Sequence, residues 1–255
     1  MRNKAFFRAN CSGQLLIVAA LAIAILISST TIYVYELSGE RQNGEDFFIS
    51  DFVFAVKQGS RNAVISALAN ASNGGEKTIL ADNLNSLSQA YIRLNQRGIW
   101  RLSYTVRDNA NYEGGIWLSW GTNGLGVSSA YANFTLAVYD LTFNVTMHYA
   151  VNITTAITVN GYYTTNGTAK TVSLYCQVFN EGEPALAKRL TVFYENLGVW
   201  VPVNASNSLS ITDYGNGTYA LSFTVNVPSE IVQILVHVED LRGILVQAGL
   251  SCREG

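Results

Sequence analysis

The residues of this chain best suited to chemistry are sequon asparagines, two cysteines far along the chain and a pair of tryptophans. Asn-x-Ser/Thr sequons occur at Asn10, Asn70, Asn133, Asn144, Asn152, Asn166, Asn204 and Asn216. Random pairing of 23 asparagines with 40 serines and threonines would give about 3.6, so eight is an excess that favours N-glycosylation over simple abundance. The seven from Asn70 onward are the candidate acceptors. Cys176 and Cys252 form a candidate disulfide, which in the chain-entropy picture would contribute about 4 kcal/mol by closing a long loop; two buried free thiols are the alternative. Trp117 and Trp120 lie in a stretch, Gly114 to Gly126, that contains five glycines. They are candidate ligand contacts, able to stack on sugars or anchor a partner, with burial in a core as the competing reading.

Other chemistry leaves no local trace. His148 and His237 sit in strand-like alternation without partners at metal-ligand spacing. Nothing matches a nucleophile elbow, a zinc-binding His-Glu-x-x-His helix or a phosphate loop, and the glycine-rich stretch is followed by no lysine and opens no helix. Asp108 with Asn109 and Asn111 lacks the spacing of a calcium loop. The expectation is a non-enzyme with no catalytic, metal or cofactor residues and no cofactor.

The elements that must carry these residues begin with an apolar stretch. Gln14 to Tyr35 contains no charged residue, follows Arg2, Lys4 and Arg8, and precedes the first acidic residue, Glu36. About 20 apolar residues suffice to cross a bilayer as a helix, and flanking cations stay in the cytoplasm. The expectation is a single-pass protein of the cell membrane, N-terminus inside and residues 36–255 outside. A cleaved signal peptide ending near Ser28, Ser29 and Thr30 is the alternative. Without the three leader cations the remainder carries 13 basic and 18 acidic residues. That balance excludes a nucleic-acid surface and leaves membrane lipid, other surface proteins, glycans or copies of itself as partners.

Downstream, Glu36 to Gly44 reads as a polar hinge. From Glu45, Phe48, Phe52, Ala55, Val56, Ala63, Ala67 and Leu68 recur at helical spacing until Asn73-Gly-Gly75. A second helix carries Leu80, Leu84, Leu87, Tyr91 and Leu94 as a short seam of the kind found in coiled coils, and an intrachain core is favoured over assembly of copies. From Ile99 the period becomes two, with long strands expected over Asn133–Thr146 and Tyr149–Tyr163. Seven further runs follow: Val172–Phe179, Arg189–Glu195, Val199–Val203, Leu209–Thr212, Tyr219–Val227, Val232–Glu239 and Ile244–Ser251. They predict a β-sandwich. The fold class is therefore α+β: leader 1–13, transmembrane helix 14–35, hinge 36–44, helical hairpin 45–97, β-rich region 98–168 and an immunoglobulin-like sandwich 169–255, the last two forming an all-β ectodomain.

Two resemblances add to this. Asp213-Tyr-Gly-Asn-Gly-Thr-Tyr219 and Glu181-Gly-Glu-Pro-Ala185 resemble segments of filamin-like and related immunoglobulin-like domains, which implies a sandwich over 169–255 with the Tyr219 hydroxyl bonding back to its turn. Ser12-Gly13-Gln14 resembles the processing site of archaeal type IV pilin-like precursors, which implies cleavage between Gly13 and Gln14 and a helix that packs into a filament. A basic residue usual at Ser12 and an acidic residue usual near Val18 are missing. The functional expectation is an anchored surface protein with a structural, adhesive or partner-binding ectodomain; the alternatives are a pilin-like subunit and a secreted or anchored glycan binder or hydrolase.

Overall fold

The computed structural model describes residues 51–94, 99–109, 111–139 and 144–255. The apolar stretch 14–35, the leader, the hinge, Asn10, Gly13 and Gln14 lie outside the described residues; among those described, no helix is long and apolar enough to cross a membrane. Contacts divide the chain into residues 1–57 and 58–255. Of the first unit, residues 51–57 are described and are helical. Everything below concerns the second.

That unit begins with helix α1 (residues 58–72), which buries Ser60, Val64, Ala67, Leu68 and Ala71 along one face. The Asn73-Gly-Gly75 terminator acts as expected. Gly74 adopts φ +98°, and the amides of Asn73 and Gly75 return to the Asn70 carbonyl. Helix α2 (Ile79–Leu94) follows, with Leu80 and Leu84 fully buried and Leu87 and Tyr91 half-buried.

Twelve strands complete the fold: β1 (Ile99–Val106), β2 (Ile116–Trp120), β3 (Leu125–Tyr139), β4 (Asn144–Asn166), β5 (Ala169–Asn180), β6 (Glu183–Pro184), β7 (Ala187–Asn196), β8 (Val199–Pro202), β9 (Ser210–Asp213), β10 (Thr218–Val225), β11 (Val232–Asp240) and β12 (Leu245–Cys252). They form two antiparallel sheets. The large one runs β1-β3-β4-β5-β10-β9, with β2 beside β3 and β6 beside β5; the small one runs β12-β11-β7-β8. All seven strand runs expected after residue 171 are present. The expected strand Asn133–Thr146 is two strands instead, because Tyr139 pairs with Asn144 and the chain reverses between them. Alternation continues unbroken on both sides of the reversal, so the pattern alone hides it.

β4 is the organising element. Its 23 residues pair with β3 over the first part and with β5 over the last, so the β-rich region 98–168 and the sandwich 169–255 share one sheet. Its inward residues Val151, Ile153, Thr155, Ile157, Val159 and Tyr163 are buried while Asn144, Asn152, Asn160 and Tyr162 are exposed, as a strand's period of two requires. The inward face has two covers. Over β1, β3 and the start of β4 lie the helices: Tyr104 Oη donates to the Ala81 carbonyl, Ser88 Oγ to the Leu102 carbonyl, and Ser60 Oγ meets Tyr149 Oη at 2.9 Å. Over the end of β4, β5 and β10 lies the small sheet, with Val172, Leu174, Phe223, Ile234, Val236 and Val246 in a common core.

The segments behind the filamin-like resemblance meet in space. Gly217, at φ +79°, places its backbone against Ala185, where a Cβ would collide, and its carbonyl accepts from the Val178 amide. The Tyr219 hydroxyl does not return to its own turn. It accepts the Ala187 amide at 2.8 Å and thereby ties the large sheet to the first residue of β7.

Candidate functional site

The outward face of β2, β3 and β4 gathers aromatic rings, hydroxyls and an arginine. Trp117 pairs with Ser129 across β2 and β3, and Ser129 pairs with Thr154 across β3 and β4, so all three face outward. The loop after β1 folds over them. Asn109 Oδ1 accepts the amides of Asn111 and Tyr112, which turns the chain so that the Tyr112 ring lies 5.8 Å from that of Trp117. Asn109 is thus committed to its own loop.

Arg107 lies between two of these rings, its guanidinium carbon 5.3 Å from the Tyr112 centroid and 5.2 Å from that of Tyr131. Each contact of this kind is worth about 0.5–1 kcal/mol on an exposed surface. Beneath the rings runs a neutral hydroxyl network. Ser129 Oγ meets Tyr112 Oη at 3.0 Å and Thr154 Oγ1 at 2.9 Å, and Tyr131 Oη donates to Asn133 Oδ1 at 2.9 Å. Half-exposed aromatic faces beside hydroxyls and a fixed arginine can bind a polyhydroxylated or planar ligand; they supply no paired acid and base for bond cleavage.

Trp120 does not belong to this group. Three positions from Trp117 on one strand, it points to the other face, where its indole donates to Ser128 Oγ at 3.1 Å and Ser128 donates to the Leu245 carbonyl. The glycines of the same stretch serve a close approach. β12 crosses so near β3 that a Cβ at Gly126 would collide with the Gln247 carbonyl, and Gly124 and Gly121 exchange backbone hydrogen bonds with Gly249.

The sequon asparagines of the described chain, at 70, 133, 144, 152, 166, 204 and 216, are all exposed. Asn204 also caps the 3-10 turn Ala205–Asn207, and Asn216 Oδ1 accepts the Thr218 amide. Cys176 and Cys252 are free, fully buried thiols of the sandwich core, and burial pushes them up to about 12 and about 11. His148 accepts from or donates to Thr135 Oγ1 at 3.0 Å on the outward face. His237 packs against Phe193 on the small sheet, its Nε2 buried without a partner and its pKa lowered by burial. Among the described residues no cluster of three or more His, Cys, Asp or Glu could hold a metal ion.

One constellation escaped the sequence reading. Asp240 is fully buried and accepts from Arg242 Nε at 2.7 Å, Thr155 Oγ1 at 2.9 Å and the amides of Arg242 and Ile244. Arg242 continues to Glu181 Oε1 at 2.6 Å and to the Thr154 carbonyl, and Arg61 of α1 approaches Glu181 at 3.9 Å. Its polar atoms are spent on one another, so it joins β4, the β5–β6 turn, the β11–β12 turn and α1 rather than forming a site.

Compared with protein families, with curated proteins and with solved structures, the chain matches none.

Proposed function

We propose that the chain is a membrane-anchored cell-surface protein whose β-rich ectodomain performs a structural, adhesive or partner-binding role, with the Trp117 and Tyr112 edge of its outward face as the contact surface. The observation that supports this most is that every described sequon asparagine is exposed on a scaffold preceded by the charge-free stretch Gln14 to Tyr35. The outward cluster of Trp117, Tyr112 and Arg107 favours binding over catalysis, since it offers stacking and hydrogen bonding without an acid–base pair.

Intact cells treated with an external protease test the location. Loss of the region after residue 36 with retention of the N-terminal peptide in the membrane is the expected result; full protection removes the proposal. The Ser12-Gly13-Gln14 sequence supports a second reading, a pilin-like subunit. Edman sequencing separates them, because a mature start at Gln14 fits processing and an intact Met1 fits a permanent anchor.

A further inference from the structure

We infer that Asn133, Asn144 and Asn152 carry N-linked glycans whose first sugars rest on Tyr131 and Tyr139, making the outward face of β3 and β4 a glycan-covered surface. This deepens the extracytoplasmic reading above and rests on it. Tyr131 is directly opposite Asn152 across the β3–β4 ladder and two residues before Asn133 on its own strand; Tyr139 is directly opposite Asn144. Directly opposed residues place their Cβ atoms about 4.5–5.5 Å apart, and residues two apart on a strand share a face. Each of the three sequons thus has a tyrosine ring as its immediate neighbour. Tyr139 is 44% exposed, Tyr131 is half-exposed, and Tyr131 already touches Asn133 through its hydroxyl.

The strand also arranges each sequon for transfer. In Asn133-Phe-Thr135, Asn144-Val-Thr146 and Asn152-Ile-Thr154 the period of two turns asparagine and threonine outward together and the middle residue to the other face, where Phe134 and Ile153 are buried and Val145, at the strand end, is 47% exposed. The outward residues 131, 133, 135, 137 and 139 of β3 and 144, 146, 148, 150 and 152 of β4 include no Asp, Glu, Lys or Arg. This neutral strip is bordered by Arg101 of β1, opposite Ala137, and by Arg107 over the Tyr131 ring, and glycans would cover it.

The covalent step is a group transfer from a polyprenyl-phosphate-linked oligosaccharide, catalysed by a membrane oligosaccharyl transferase. Asparagine Nδ2 forms a bond to the anomeric carbon, the carbon–oxygen bond to the phosphate breaks, the lipid phosphate departs with the electron pair, and one amide proton passes to a base. Nothing is oxidised or reduced. The attached ring then lays its C–H face on the neighbouring tyrosine.

Full-length protein from the cells that make it provides the test. No Lys or Arg lies between Arg107 and Lys170, so chymotrypsin rather than trypsin is needed to separate the three sites. Mass spectrometry is expected to find sugar mass on peptides containing Asn133, Asn144 and Asn152. A second arm measures the Tm difference between Tyr131→Phe, which keeps the ring but not the hydroxyl bond to Asn133, and Tyr131→Ala, with the asparagines intact and with Asn133→Gln and Asn152→Gln together. The glycosylated protein is expected to lose about 2–4 °C more than the bare one. Tyr139→Ala with and without Asn144→Gln repeats the cycle at the strand end, should Tyr131→Ala fail to fold. Bare asparagines on a chain that external protease can reach overturn the glycan inference alone. A chain that protease cannot reach overturns the surface reading with it. Glycans present with equal Tm losses in both backgrounds overturn the stacking.

Discussion

One continuous sheet is covered in two ways, and the two halves differ in what holds the cover on. Over β5, β10 and the end of β4 the small sheet interlocks rows of valine, isoleucine and leucine in a core that also takes in Phe223, Tyr219 and both thiols. Over β1, β3 and the start of β4, α2 supplies Leu80 and Leu84 and then relies on polar ties such as Tyr104 Oη to the Ala81 carbonyl and Ser88 Oγ to the Leu102 carbonyl. Interlocked apolar ribs are lost only together. A helix held by a few side chains and half-exposed hydrogen bonds can open by itself, so α2 is expected to be the least protected element of the unit, although α1 beside it buries Val64, Ala67 and Leu68.

Large-to-small substitutions probe this difference most strongly. Phe223→Ala removes one of the largest fully buried side chains and is expected to cost about 4 kcal/mol, lowering hydrogen-exchange protection throughout both sheets. Leu84→Ala, 1% exposed, is expected to cost about 3 kcal/mol while protection falls in α2 and β1 and persists in β5, β10 and β11. Equal loss of protection everywhere in Leu84→Ala would show that the halves open as one unit.

The junction between the halves should respond next. Asp240→Ala leaves Arg242 and Thr155 without their buried acceptor, and removal of one partner from a buried pair costs about 3 kcal/mol. Because Arg242 reaches Glu181, and the same β11–β12 turn receives Asn73 Nδ2 at the Gly243 carbonyl and presents the Leu245 amide to Ser72 Oγ, the variant should also uncouple the covers. Thiol labelling gives a direct reading. Cys176 and Cys252, pushed up to about 12 and about 11 by burial, should resist a thiol reagent in the wild type at pH 8 and in Leu84→Ala, but react in Phe223→Ala. Rapid native labelling in the wild type would mean that the sandwich opens locally.

What the sequence made legible follows from what is local. Strand positions after residue 171 were readable because each inward residue announces itself by alternation, and the turn at Asp213-Tyr-Gly-Asn-Gly217 because positive φ selects glycine. The expected boundary at residue 168 falls in the Asn166–Ala169 turn, where β4 and β5 pair within one sheet. Trp117 and Trp120 share one glycine-rich stretch in the sequence, but that stretch forms β2, and on a strand a spacing of three puts them on opposite faces. Asp240 leaves little trace in the sequence because its partners are distant, Thr155 lying 85 positions away, while Arg242 and Glu181 are 61 apart. Only its place in an Asp-x-Arg-Gly turn gave a local hint.

The smallest expected effect comes from His237 and would show which half acid loosens first. Its ring sits 4.8 Å from Phe193 in a hollow of about 250 Å³ lined also by Asn73, Arg189, Thr191, Glu239 and Leu245. Burial lowers its pKa below the ordinary 6.5, so the unfolded chain binds the proton more readily than the folded one. Stability from this group is therefore present above pH 6.5 and declines as the pH falls below it toward the folded-state value. Glu239 nearby, held low by Lys188 and Arg189, acts below its ordinary 4.5 and leaves that window clear. Between pH 7 and pH 5.5 the wild type should lose a few degrees of Tm at most, with exchange rising in β7, β11 and β12 before α2 and β1, and His237→Phe should flatten the change. An acid response that starts in α2 and survives His237→Phe would place the sensitive group under the helices instead.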